Sequence, residues 1–183
     1  EGRCGHAAVA AARVAHELGY TTMSLYRYVE SKDELVAMMW DTGLGGPPNV
    51  DVSDGWRAAL TRWAFLQLKG LRDHPWVLDI PISTPPISPH QVDWMEAGLA
   101  TLDGTPLRYA EKLGVILAVS VAVLAEARLT RELAEGDQLS PNDYASMLTH
   151  LIGRDSHPHL RAAIDEGTFA FDTEDPDEDF AFT

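Results

Sequence analysis

Residues 14–35 read V-A-H-E-L-G-Y-T-T-M-S-L-Y-R-Y-V-E-S-K-D-E-L. The run gathers Thr21, Thr22, Ser24, Tyr26, Arg27, Tyr28 and Lys32 within twelve positions, with Met23 among them. Hydroxyl, guanidinium and ammonium groups donate hydrogen bonds to phosphate oxygens, and hydroxyls and guanidinium also reach base edges. The chemistry on offer is recognition of a polyanion.

Three short helical pieces must position that set. Residues 14–18 end the first, and Gly19 stands where a left-handed residue closes a last turn. Thr21 is a good N-cap for the second piece, residues 22–28. Tyr20 with Leu25 fits a hydrophobic staple. Leu25 and Val29 fall inside at helical spacing, which leaves Thr22, Ser24, Tyr26 and Arg27 largely outside. Ser31 and Glu34 spell S-x-x-E, a capping box that opens a third helix over residues 32–42. Two helices about a glycine turn, the second rich in exposed hydroxyl, aromatic and Arg groups, follow the logic of a helix-turn-helix reader.

The stretch L-G-Y-T-T-M-S-L-Y-R-Y-V-E-S-K-D-E-L closely resembles the helix-turn-helix of tetracycline-repressor-type (TetR family) transcriptional regulators. Gly19, Leu25, Tyr26, Val29, Lys32 and Leu35 stand where that motif puts them. The resemblance implies that the second helix enters the DNA major groove. Thr21, Thr22, Met23, Ser24, Arg27 and Tyr28 would then face bases or backbone. Tyr26 would hydrogen-bond a phosphate, and Lys32 would pair with one. The N–H groups and partial positive charge at a helix N-terminus suit that last role.

The whole chain carries a net charge of −14 over 183 residues. Residues 1–32 hold four basic side chains against three acidic ones, so the acid sits in the remainder, densest over 172–179. A near-neutral reader on an acidic body still binds phosphates, while the body discourages loose nonspecific binding and makes the complex salt-sensitive. Cys4 is alone, so no internal disulfide forms. No uninterrupted apolar run reaches the ~18 residues of a membrane span, and no signal-peptide pattern is visible. The expectation is a cytoplasmic protein with no membrane association.

Residues 43–48, with three glycines and two prolines, end the third helix and mark the domain boundary. Ser53 suits the cap of a helix over 54–73 in which Trp56, Leu60, Trp63 and Gln67 share a stripe. His74-Pro75-Trp76 breaks it, and residues 81–89 are a proline-rich loop. Ser88 or Pro89 starts a helix to about Gly104, and Thr105-Pro106 starts a longer one to 133–135. The centre of that helix, V-I-L-A-V-S-V-A-V-L-A, is apolar all round and must be covered by its own domain or a second subunit. Ser140-Pro141 and His157-Pro158 open two more helices. The tail from Thr168 is acidic and aromatic.

The part after Gly46 resembles the C-terminal domain of the tetracycline-repressor branch, through W-R-A-A-L, L-R-D-H-P-W, T-P-L-R-Y and the closing D-E-D-F-A-F. Against that pattern the first helix is short or missing and the last dimer-forming helix is absent from the sequence. Helices that flank the cavity in similar proteins imply a ligand lining of Trp63, Gln67, Trp76, Trp94, Tyr109, Leu113 and Ile116. There is no G-x-S-x-G, no H-E-x-x-H and no supported Cys–His pair, and His157 and His159 lack companion ligands. No enzyme, cofactor or metal site is expected.

The expected fold is all-α: a helix-turn-helix domain over 1–46, then a helical ligand-binding and dimerisation domain over 47–183. The expected function is a homodimeric, ligand-responsive repressor. It meets a near-palindromic double-stranded DNA operator and is released by a small-molecule effector. The alternative is an all-helical small-molecule-binding protein that does not read DNA.

Overall fold

The computed structural model describes residues 13, 15–17, 19–82, 85–136, 140–153 and 156–169. The expectations for residues 1–12 with Cys4, for Val14 and Leu18, and for the acidic run 172–179 lie outside the described residues, as does the Lys32 side chain.

Among the described residues all regular structure is helical. After helical residues 13 and 15–17 come α1 (Thr22–Leu25), α2 (Lys32–Leu44), α3 (Trp56–Asp73), a 3₁₀ segment (Pro75–Asp79), α4 (Pro89–Thr101), α5 (Tyr109–Glu135), α6 (Pro141–Leu151) and α7 (Pro158–Asp165).

Starts are set locally. Ser31 caps α2 and Ser140 caps α6, each hydroxyl accepting from the backbone N–H three residues on at 3.1 Å. Two helices begin later than expected. Gly55 at φ +88° turns the chain just before α3, while Asp54 pairs with Arg62 at 3.1 Å, so Ser53 caps nothing. Thr105 donates its hydroxyl to the Leu102 carbonyl, and α5 waits for Tyr109. There Glu111 reaches back to Arg108, whose side-chain and backbone hydrogen bonds hold the Glu111 carboxyl below its usual range.

Packing divides the chain into two compact units, Glu1–Leu124 and Ala125–Thr183. The first is built on α3, whose Ala59, Trp63, Ala64, Leu68 and Leu71 are buried. α2, the 3₁₀ segment and α4 pack on it, adding Val77, Leu78, Trp94 and Leu102 to the core. In the second unit α6 and α7 pack together, and Tyr144 meets Phe169 edge-on at 5.6 Å.

By length and a mean hydropathy of 1.9, α5 passes the composition test for a membrane span. Its uncharged centre is shorter. Lys112 and Glu126 bracket residues 113–125, about 20 Å of helix against the ~30 Å of a hydrocarbon layer.

Gly98 sets how closely α4 approaches α3. A Cβ there would stand 2.7 Å from the Trp63 ring and 2.9 Å from Ile116 Cδ1. Trp63 is 1% exposed and has no room to yield. Gly98→Ala is therefore expected to destabilise by about 1–2 kcal/mol, overpacking outweighing the gain in helix propensity. A urea-unfolding midpoint equal to or above the parent's contradicts this packing.

Candidate functional site

The first surface is the turn around α1. Gly19 sits at φ +74°; its N–H donates to the His16 carbonyl and Tyr20 N–H to the Ala15 carbonyl, at 3.0 and 2.8 Å. These two bonds make the closing motif that a left-handed glycine permits. Thr21 Oγ1 then accepts from Ser24 N–H at 3.2 Å, so its hydroxyl is engaged in capping α1. Tyr20 remains 61% exposed, and the expected staple to Leu25 buries little.

The expected rod over residues 22–28 is shorter than its pattern suggested. Four residues form α-helix, and residues 26–28 tighten into a turn. Arg27 N–H bonds the Ser24 carbonyl and Tyr28 N–H that of Leu25, each three residues back. Further on, Ser31 is extended at φ −149° and caps α2. Glu34 helps by accepting from Glu30 N–H, one residue earlier than a capping box prescribes.

Ala15 and Val29, which flank this turn in sequence, are buried. Met23 and Tyr28 stand out at 79% and 80% exposed; Thr21, Tyr26 and Arg27 are exposed; Thr22 and Ser24 are half-buried. Lys32 opens α2, and its side chain lies outside the described residues. The arrangement exposes a guanidinium, two phenols and a thioether within one short segment.

The second feature is a cavity of about 380 Å³ within the first unit. It is walled by Trp40 and Leu44 of α2, Trp63, Gln67 and Leu71 of α3, Gln91, Trp94 and Met95 of α4, and Leu113, Ile116, Leu117, Ser120 and Leu124 of α5, with Ile82 and Pro86 from the connecting loop. Trp63, Gln67, Trp94, Leu113 and Ile116 of the implied lining are thus brought together. Trp76 and Tyr109 stand outside it. Trp76 is 43% exposed beside His74, and Tyr109, 72% exposed at the start of α5, lies over the Lys112 ammonium.

Sequence reasoning missed the α2 pair, the lower α5 residues, and Leu71, Ile82, Pro86, Gln91 and Met95. Ser120 and Leu124 continue the spacing of Ile116 at four-residue steps and were legible that way. Trp40 and Leu44 carry no local signal, because only the packing of α2 on α3 and α4 turns them toward the space.

The tryptophans are held from behind. Trp63 Nε1 donates to the Trp94 carbonyl at 3.0 Å, and Trp94 Nε1 to the Gly45 carbonyl at 2.8 Å. The two rings meet edge-on with centroids 6.4 Å apart. One turn earlier on α4, His90 N–H donates to Asp41 Oδ1 at 2.9 Å, and its Nδ1 lies 3.0 Å from the Asp41 carbonyl oxygen. α4 therefore grips the last turn of α2 and the glycine that ends it. Among the described residues no group of three His, Cys, Asp or Glu is placed to hold a metal.

Nile red, a neutral fluorophore, is expected to brighten with this chain and saturate near about one equivalent. Ser120→Phe puts a ring beside Gln67 and is expected to abolish the response. A response that survives in a Ser120→Phe protein of parental circular dichroism contradicts a cavity at this place.

A family model described as "Tetracyclin repressor-like, C-terminal domain" matches residues 48–183. A curated relative from Streptomyces coeruleorubidus, the "HTH-type transcriptional repressor DrrR1", is 34% identical over 169 residues, which is 87% of this chain and 62% of the relative. The chain thus spans about three fifths of that protein's length.

Proposed function

The chain belongs to the tetracycline-repressor family, and on that premise we propose that it is a DNA-binding transcriptional repressor released from its operator by a small molecule. The observation that carries the reading is the double duty of α2. Its N-terminus follows the exposed reading turn, and its far end supplies Trp40 and Leu44 to the cavity wall. A molecule that fills the cavity touches the helix on which the reader rests.

Residues 1–46 act as the reader and 47–183 as the ligand-binding body. Arg27 and Met23 face base edges, with Thr22, Ser24 and Tyr28 beside them; Thr21 shapes the turn. Tyr26 and Lys32 hold phosphates, Lys32 at the N-terminus of α2, where backbone N–H groups add to its pull. Two copies related by a two-fold axis meet a near-palindromic operator in the cytoplasm, with half-sites one helical turn or a multiple apart. The ligand binds the DNA-incompetent arrangement more tightly, and a coupling of ~1–3 kcal/mol is the usual scale for such release. Family regulators work by binding, and no catalytic role is assigned.

The test uses an operator selected from a randomised near-palindromic library and read by fluorescence anisotropy over a salt series. Arg27→Ala is expected to alter base preference at one position of each half-site, at about 1–3 kcal/mol. Lys32→Ala is expected to weaken selected and nonspecific DNA alike and to lower the salt slope by about one unit per bound chain. Unchanged isotherms for both variants, or a library from which nothing is selected, overturn the assignment; the latter leaves a ligand-binding protein that does not read DNA.

A further inference from the structure

Resting on the reading of the cavity as the effector site, we propose that Asp41 is the positioning residue through which a filled cavity reaches the reader. Its carboxylate, carried on α2, is an N-terminal cap of α4, and the effector acts by loosening that cap.

A helix leaves its first N–H groups without partners inside the helix. In α4 the first residue, Pro89, has no N–H to satisfy, and Val92 N–H bonds the Ser88 carbonyl at 3.0 Å. His90 and Gln91 stand between them. Both N–H groups donate to Asp41 Oδ1, at 2.9 and 3.4 Å. The acceptor therefore comes from another helix, 49 and 50 positions earlier in the chain. An anionic oxygen at this place also faces the positive end of the helix dipole. The Asp41 side chain is 14% exposed, so water competes little for these bonds.

The backbone of the same residue is tied as well. The Asp41 carbonyl oxygen accepts from Gly45 N–H at 3.0 Å and lies 3.0 Å from His90 Nδ1. The His90 ring passes over Gly46, where a Cβ would stand 3.3 Å from Cδ2. The last turn of α2, the glycines after it and the first turn of α4 thus meet at one aspartate.

Asp41 is not part of the cavity wall, but residues on both sides of the cap are. Trp40 precedes it on α2, and Gln91, the donor at 3.4 Å, belongs to the α4 wall. A ligand that presses on Trp40 and Gln91 bears on both halves of the cap, and the longer bond yields first. α2 begins at Lys32, directly after the reading turn, so a helix released at Asp41 carries the change along its length.

The test is amide hydrogen exchange with and without saturating nile red, with circular dichroism as the check on folding. In the parent, nile red is expected to lower protection of the His90 and Gln91 amides by about fivefold or more and to alter protection over residues 22–36. Asp41→Ala is expected to bind nile red with parental affinity while residues 22–36 become insensitive to it. Asp41→Asn keeps an oxygen for the two N–H groups and is expected to restore most of the response. A response over 22–36 that survives in Asp41→Ala moves the role to the Trp94–Gly45 bond and overturns the proposal, while the effector reading stands. So does Asp41→Asn behaving like Asp41→Ala, because the capping oxygen then transmits nothing, and so does loss of nile red binding in Asp41→Ala, which makes Asp41 part of the site. If the parent binds no nile red, or binds it with residues 22–36 unchanged, the effector reading itself falls and takes the proposal with it. Should Asp41→Ala unfold the chain, the parent decides: exchange at His90 and Gln91 that is identical with and without nile red overturns the role of the cap.

Discussion

One hydrogen bond ties the end of α2 to the cavity wall: the indole N–H of Trp94 donates to the carbonyl of Gly45. Gly45 ends α2 at φ +66°, where a side chain would be strained, and its carbonyl is left free to accept. Trp94 lies on α4 with its ring against the cavity. A net contribution of about 1 kcal/mol from such a bond is modest. Its importance is positional. Together with the His90–Asp41 contacts it fixes the last turn of α2 against α4. The place where the chain leaves its N-terminal segment is therefore part of the cavity's own scaffold.

The rest of the first unit serves that arrangement. α3 supplies the buried stripe, and Gly98 lets α4 come close enough for Trp63 to bond the Trp94 carbonyl. α5 crosses the open side, leaving a space that is apolar apart from Gln67, Gln91 and Ser120. The acidic balance of −14 lies mainly outside residues 1–32. A body of that sign repels DNA at long range, so under the proposed function the turn around α1 relies on a few short-range contacts.

Much of this was legible in residue order. Gly19, Thr21 and Ser31 announced their turn and caps because those roles depend on one residue's backbone freedom or one hydroxyl three positions from an N–H. The all-helical class followed from spacing, and α5 is helical although its centre is rich in β-branched residues. What the order of residues hid was decided across the chain. The segment expected as one rod broke into α1 and a turn in which Arg27 and Tyr28 N–H bond three residues back. Tyr109 looked like a wall residue by its helix, yet α5 starts there and its ring faces Lys112 and solvent. Trp40 and Leu44 belonged by sequence to the reader and by packing to the cavity, a double membership that no local pattern encodes.

The claim that cavity and reader share one scaffold is tested most directly by amide hydrogen exchange over residues 41–46, measured with the cavity empty and with nile red bound. Local opening of that last helical turn sets its exchange rate, so the signal reports the α2–α4 grip itself. The account expects protection over 41–46 to change on binding together with that of α3, α4 and α5. Changes confined to α3, α4 and α5, with 41–46 identical in both states, would contradict it.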